Sequence, residues 1–137
     1  MTRYNGEMSL EPDYQGPPEL AVTPIPPYTA VIFTSVRTEA DHDEYDAMAT
    51  EMGRLAAQQP GYLGVESARN PDRLGITVSY WETPHAANAW KHVNDHLAAQ
   101  TLGRERWYAN YRVRIATVER DYGLIDSDLN EVAVHQT

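Results

Sequence analysis

The chain has 137 residues, no cysteine and a formal net charge of −9. This length corresponds to one domain, and the lack of cysteine excludes disulfides, thiolate nucleophiles and Cys-ligated metals. No apolar run approaches the roughly 18 residues of a membrane helix, and no clustered basic face indicates nucleic-acid binding. The N-terminus lacks the apolar segment of a secretion signal. We therefore expect a cytoplasmic protein that binds neither membranes nor nucleic acid.

Residues 1–27 contain six prolines. Proline fixes φ and lacks an amide donor, so neither a continuous helix nor a central strand is expected here. We predict an arm that lies on its own domain or on a partner subunit, or else is disordered. Residues 28–36 are rich in β-branched and aromatic side chains, which predicts the first strand.

A helix is expected next, because Tyr45, Met48, Met52 and Leu55 recur at the spacing of one helical face. Pro60 and Gly61 follow this stripe, and the pair predicts the end of the helix. Strands are expected at 62–68 and 74–81.

The second helix is predicted to begin at Thr83-Pro84, with Thr83 as its N-cap, and to run to about Leu102. The alternation of side chains over 108–119 then predicts a fourth strand. After residue 122 the periodicity is lost. The predicted division is a Pro-rich arm over 1–27, a folded domain over 28–122 and an acidic tail over 123–137.

The element order βαββαβ predicts an α+β fold of the ferredoxin-like kind, with a four-stranded antiparallel sheet and both helices on one face. The opposite face then needs cover. Two such sheets placed face to face form a dimeric α+β barrel, so we expect a homodimer. The apolar candidates for sheet burial are Val31, Phe33, Val65, Val78, Val113 and Ile115.

Residues 28–122 resemble the antibiotic biosynthesis monooxygenase family. The resemblance is carried by Gln59-Pro60-Gly61-Tyr62-Leu63-Gly64, Ser79-Tyr80-Trp81-Glu82, Trp90 with His96, Gly103-Arg104-Glu105-Arg106-Trp107-Tyr108 and Tyr111-Arg112-Val113-Arg114-Ile115. It implies a cofactor-independent monooxygenase that oxidises a small aromatic or quinone-like compound with O2, in a pocket between the sheet and the second helix. No Gly-rich fingerprint after a strand indicates a nicotinamide cofactor.

Two other functions stay open. One is a haem-binding or haem-degrading monooxygenase, since this branch of the family has a Trp where Trp90 stands. Its Asn position falls near Phe33 and its His position near Gln100, so His96 would serve as a haem ligand only in a different helix register. The other is a barrel that binds a small molecule without enzymatic chemistry.

Three histidines, His85, His92 and His96, share one face of the second helix. Imidazole exchanges protons at about pH 6.5 and ligates metals, so His92 and His96 are the catalytic candidates. The alternative is a solvent-exposed helix face beside Asn88. No acidic residue at a neighbouring position completes a ligand set, so no metal is expected.

The substrate-binding candidates are Trp81, Asn88, Trp90 and Arg104. Each has a structural alternative. Trp90 forms an apolar stripe with Val93 and Leu97 that is equally typical of a core. Trp81 ends a strand, where aromatic residues commonly fill space, and Arg104 follows a helix end, where a cation satisfies terminal carbonyls.

Overall fold

The structure, a computed structural model, describes residues 19–39, 42–101 and 107–124, with the side chains of the second helix described up to His96. Six elements follow in the predicted order. They are β1 (Tyr28–Arg37), α1 (His42–Ala57), β2 (Tyr62–Arg69), β3 (Leu74–Trp81), α2 (Pro84–Thr101) and β4 (Tyr108–Val118). Arg104, Gly103, residues 1–18 of the predicted arm and residues 125–137 of the predicted tail lie outside the described residues.

The four strands form one antiparallel sheet in the order β2-β3-β1-β4. Both helices contact the same side of the sheet, where α1 lies against β2 and α2 lies against β1 and β3. The predicted ferredoxin-like α+β fold is confirmed. No helix in the described part of the chain is both long and apolar enough to cross a membrane.

The predicted helix boundary at Thr83 is confirmed, because Thr83 Oγ1 accepts a hydrogen bond of 3.0 Å from the amide of Ala86. The turn before β2 brings its backbone close to α2. Gly61 has a φ of 84°, and a Cβ there would lie 2.7 Å from the Cβ of Ala86. Glycine is therefore required at this point both for its left-handed conformation and for its lack of a side chain.

Direct partners in an antiparallel sheet point their side chains to the same face. Val31 faces Ser79 and Ile115, and this face lies under the helices. Val31 is buried in the core there and Val113 packs against it. Val65 and Ile115, on the edge strands β2 and β4, are 42% and 43% exposed.

The opposite, outer face is apolar at its centre. It carries Ile32, Val36, Leu74, Ile76 and Val78, of which Leu74 and Ile76 are exposed. No described helix covers this face.

The described part of the arm, residues 19–27, lies against one end of the outer face. The amide of Ala21 donates to Glu66 Oε2 over 3.0 Å. Thr23 Oγ1 donates to the hydroxyl of Tyr28 over 3.0 Å, and that hydroxyl donates to Asp121. The polar groups of the arm therefore point to its own domain. Its apolar side chains do not, since Leu20, Val22 and Ile25 are exposed.

Candidate functional site

The two tryptophans predicted to bind substrate lie together between α2 and the sheet. The rings of Trp81 and Trp90 are stacked, with centroids 5.9 Å apart and an angle of 20° between their planes. Trp81 is 0% exposed, and its Nε1 donates to Ser79 Oγ over 2.9 Å. Tyr62 meets Trp81 edge-on at 5.6 Å. The indole pair fills the interior as core packing does.

The polar candidates of α2 are not brought to this pair. His92 follows Trp90 by two positions, which is roughly 200° around the helix. His92, His96 and Asn88 are all exposed on the side of α2 away from the sheet. Nothing in a single chain brings their side chains next to Trp90, so their site role stays a prediction. Arg104, the fourth candidate, lies outside the described residues.

The described histidines also do not match a haem site between α2 and the sheet. His85, His92 and His96 are all on the exposed side, so none of them would face a haem bound there. Within the described ranges, no three His, Asp or Glu side chains come close enough to hold a metal ion. A monooxygenase reaction that uses neither haem nor a metal ion depends on neither of these two observations.

A different set of residues meets at the other end of the sheet, where β1 ends, β4 begins and α1 passes over. We call it the Tyr45 cluster. Tyr45 meets Tyr108 edge-on at 5.8 Å and Trp107 at 6.1 Å. Phe33 lies 5.3 Å from the ring of Tyr108 and 5.6 Å from that of Tyr111. Five aromatic side chains thus form one continuous group.

Two arginines complete the Tyr45 cluster. The guanidinium carbon of Arg37 lies 3.6 Å from the centroid of the Tyr45 ring, and that of Arg69 lies 5.6 Å from it. Arg37 is only 5% exposed. A cation over an aromatic face is attracted by the ring quadrupole, and this attraction grows when water is excluded.

The position of Arg69 follows from a glycine. Arg69 on β2 pairs with Gly75 on β3, and Gly75 pairs with Ser35 on β1. A Cβ at Gly75 would lie 2.4 Å from Arg69 Cζ. Because that space is free, Arg69 reaches across β3 and donates to Ser35 Oγ over 2.8 Å and to the hydroxyl of Tyr45 over 3.3 Å.

The guanidinium group of Arg69 is therefore held by hydrogen bonds, whereas two donor atoms of the Arg37 guanidinium have none. Arg69 also donates from Nη1 to the carbonyl oxygen of Arg73 over 2.6 Å. Arg37 Nε and Nη2 and Trp107 Nε1 are buried without a hydrogen-bond partner. These are all the buried side-chain polar atoms without a partner that the described residues contain, and all belong to the Tyr45 cluster. An unpaired buried donor costs about 1–3 kcal/mol, and more when charged.

No carboxylate of the described residues pairs with the two arginines of the cluster. Among the described residues, the ion pairs join Arg54 to Glu51, Arg73 to Glu39 and Lys91 to Asp95. None of them involves Arg37 or Arg69. Arg37 is buried and Arg69 is partly buried. Buried charges in proteins are normally paired, so two guanidinium groups without a carboxylate among the described residues make this a site suited to an anion.

Tyr108 is a neutral member of the same cluster. Burial, followed by its hydrogen bond to Tyr45, raises the pKa of Tyr108, and the charges of Arg69 and Arg37 oppose this only in part. Its hydroxyl donates to that of Tyr45 over 3.3 Å. Tyr108 therefore keeps its proton at neutral pH.

A shallow open depression of about 600 Å³ lies at the far end of β4 from the Tyr45 cluster. It is lined by Thr117, Val118, Glu119 and Arg120, without an aromatic side chain or an unpartnered buried group. The depression is open to solvent and carries one acidic and one basic side chain, so it does not enclose a substrate.

The sequence contained one signal for the cluster that our interpretation missed. Val31, Phe33 and Ser35 alternate onto the helix-facing side of β1, and the same alternation continues to Arg37. An arginine in register with a buried face is unusual. Arg69 carried no such signal, because its place depends on pairing with β3.

Sequence comparison gives the family. A sequence model of antibiotic biosynthesis monooxygenases matches residues 27–102, which span β1 to α2. The chain belongs to this family. A similar protein is the uncharacterized protein YqjZ of Bacillus subtilis. It is 54% identical over 101 residues, which are 74% of this chain and 88% of YqjZ.

Solved structures of similar fold support the architecture of this family member. Protein SO0527 from Shewanella oneidensis aligns with a TM-score of 0.59 at 8% identity, over 69% of this chain and 94% of SO0527. SnoaB, a cofactor-independent oxygenase from Streptomyces nogalater, aligns with a TM-score of 0.54 at 16% identity, over 69% of this chain and 95% of SnoaB. At these identities the likeness concerns the fold alone.

Proposed function

We propose that this protein is a cofactor-independent monooxygenase that oxidises a small aromatic or quinone-like compound with O2. The observation that supports it best is the Tyr45 cluster, where Arg37 and Arg69 lie among aromatic side chains and no described carboxylate pairs with them. Aromatic walls suit a ring-shaped substrate, and uncompensated positive charge favours its deprotonated form.

The deprotonated form is what this chemistry requires. An anthrone-type substrate that has lost a proton is electron-rich and passes an electron to O2 directly. Overall, a ring CH2 group and O2 give a C=O group and water, so the substrate supplies all four electrons. No additional reductant enters the balance, and the protein's part is to bind, to stabilise the anion and to exclude water.

The side chains divide these tasks. The guanidinium groups of Arg37 and Arg69 stabilise the negative charge, and burial of Arg37 limits the screening of its charge by water. The hydroxyl of Tyr108 keeps its proton at neutral pH and donates a hydrogen bond to Tyr45, so it adds no negative charge to the site. His92 and His96 are the sequence-based candidates for accepting the substrate's proton, although both are exposed in a single chain.

We also propose that the protein is a homodimer that pairs through its outer sheet face. Leu74 and Ile76 are 38% and 45% exposed there, and the arm adds Leu20, Val22 and Ile25, which are 73% to 90% exposed. Apolar surface of this extent on a sheet face is typical of a protein interface. A second copy of the same face would cover it by two-fold symmetry.

The function is tested by O2 uptake with dithranol, an anthrone, using protein treated with chelator and shown by absorbance to lack flavin and haem. We expect uptake above the protein-free rate, lost in Arg37→Gln and kept in the surface control Arg54→Gln. Dithranol binding without O2 uptake would contradict this proposal and favour a barrel that binds a small molecule without enzymatic chemistry. A Soret band on haem titration, with no dithranol uptake, would replace it by the haem enzyme.

The same assay tests the histidines. His92→Asn and His96→Asn each remove a titratable group while keeping a polar side chain. If either histidine is the proton acceptor, its variant loses most of the uptake at neutral pH. Because both side chains are exposed in a single chain, unchanged uptake in both variants is the result that the structure favours.

A further inference from the structure

The three buried donors of the Tyr45 cluster have a specific geometry. Nε and Nη2 lie on the same edge of a guanidinium group, and these are the two atoms of Arg37 that lack a partner. That edge presents two parallel N–H groups, which match the two oxygens of a carboxylate. Trp107 Nε1, a third unpartnered donor, belongs to the same group of rings around Tyr45.

We infer that Arg37 binds a carboxylate group carried by the substrate, which is therefore a small aromatic acid. The carboxylate oxygens accept from Nε and Nη2 of Arg37. Phe33, Tyr108 and Tyr111 already touch one another, so the aromatic ring of the substrate packs on the exposed side of Tyr111, at the edge of this aromatic group. The inference rests on the proposed function for the fate of the substrate. The binding step itself needs no turnover.

The charges and hydrogen bonds of the cluster distinguish a carboxylate from other groups. Arg69 already donates to Ser35, Tyr45 and the carbonyl of Arg73, so it adds charge and leaves the fork of Arg37 as the available donor pair. A neutral phenol has one oxygen and would leave one donor unpaired. A primary amide has one acceptor and would place its own N–H group against a donor.

The walls of the site distinguish an organic acid from an inorganic anion. Tyr45 holds Arg37 on one ring face, and four further aromatic side chains continue from it to Tyr111, which is 36% exposed at the edge strand. A free phosphate would be attracted by the two arginines, but most of its oxygens would face aromatic side chains that offer no hydrogen bond. A planar ring that carries a carboxylate would cover the apolar surface as well as the charge.

The test is a calorimetric titration with naphthoate and with naphthamide, which differ only in replacing a carboxylate by an amide. In the wild type we expect naphthoate to bind at least about tenfold more tightly, the change that a charge-assisted hydrogen bond produces. Arg37→Lys keeps the charge but removes the fork, and should abolish most of this preference. The matched control Arg54→Lys, on the exposed face of α1, should keep it.

Three results would overturn the inference. The first is equal binding of the two probes by the wild type, a comparison that stands even if Arg37→Lys does not fold. The second is a preference that survives in a folded Arg37→Lys protein. The third is inorganic phosphate binding as tightly as naphthoate, which would mean an anion site without aromatic selectivity.

The outcome is separable from that of the proposed function. A clear naphthoate preference without dithranol-dependent O2 uptake would support the carboxylate site and contradict the proposed oxygenase activity. O2 uptake with dithranol, without a naphthoate preference, would support the oxygenase activity and contradict the carboxylate site.

Discussion

The guanidinium carbon of Arg37 lies 3.6 Å from the centroid of the Tyr45 ring, which places a buried charge from the end of β1 directly on a side chain of α1. The backbone fixes the arginine end of this contact, since the amide of Arg37 donates to the carbonyl of Arg73 over 3.0 Å. The charge is thus held in position before any ligand binds. Preorganised charge of this kind avoids the reorganisation that water would need around an anion.

Gly75 provides a way to move the second arginine without replacing it. In Gly75→Ala the new Cβ would lie 2.4 Å from Arg69 Cζ, so the guanidinium group has to leave its place over β3. Since the guanidinium group is the far end of a long side chain that can take another rotamer, we expect the fold to persist and the affinity for naphthoate to fall severalfold. Gly53→Ala is the control, because a Cβ at Gly53 meets nothing within 4 Å. Equal affinities for the two variants would show that Arg69 adds no charge to the site.

Trp81 tests whether the indole pair is core. It is 0% exposed and stacked on Trp90, so Trp81→Ala should lower the free energy of unfolding by about 3–5 kcal/mol, as loss of a buried aromatic ring does. Urea unfolding followed by circular dichroism measures this. A loss below about 1 kcal/mol, within the range of exposed positions, would instead favour the predicted pocket-wall role of Trp81.

The outer sheet face is tested through Ile76. A lysine there places a charge in the centre of the proposed interface, so Ile76→Lys should convert the homodimer to a monomer of 15.5 kDa. Light scattering during size-exclusion chromatography gives both masses. Ala89→Lys, which adds the same charge at an exposed position of α2, should remain dimeric. If the wild type is already monomeric at micromolar concentration, the proposed homodimer is contradicted.

Alkaline stability reports on the contact between Tyr80 and Glu66. The Tyr80 hydroxyl donates to Glu66 Oε1 over 2.7 Å. Burial, and then this hydrogen bond, raise the pKa of Tyr80 from 10.0 to about 12. Between those values the folded state holds a proton that the unfolded state has lost, so the free energy of unfolding falls as pH rises.

The variant Tyr80→Phe should make that fall less steep, as measured by urea unfolding across the same pH interval. Tyr122→Phe, at a residue that is 66% exposed, is the matched control and should keep the wild-type slope. Parallel pH profiles for Tyr80→Phe and the wild type would mean that the contact with Glu66 contributes nothing to stability at high pH.

The fold could be predicted from local signals, because its boundaries have local causes. Thr83 caps α2 through its own side chain, and Gly61 forms the turn before β2 through its φ. Each signal involves residues within a few positions of one another. The choice for Trp90 between core and pocket wall stayed open, since the spacing of an apolar stripe is the same in both cases.

The candidate site could be predicted only in part, because it depends on strand register. Arg69, Gly75 and Ser35 form one row across three strands. A shift of one residue in either pairing would turn Arg69 to the other face of the sheet. Register is a long-range property, and a single sequence does not specify it between strands that are far apart along the chain.

The most direct measurement is the origin of the oxygen in the product. Purified protein without flavin, haem or free metal is incubated with dithranol under oxygen-18 gas, and the product is analysed by mass spectrometry beside protein-free and Arg37→Gln samples. We predict that the wild type forms a quinone with one heavy oxygen in its new carbonyl group, at a rate well above both comparisons. Labelled quinone at the protein-free rate, or the same rate in wild type and Arg37→Gln, would contradict an oxygenase built on the Tyr45 cluster.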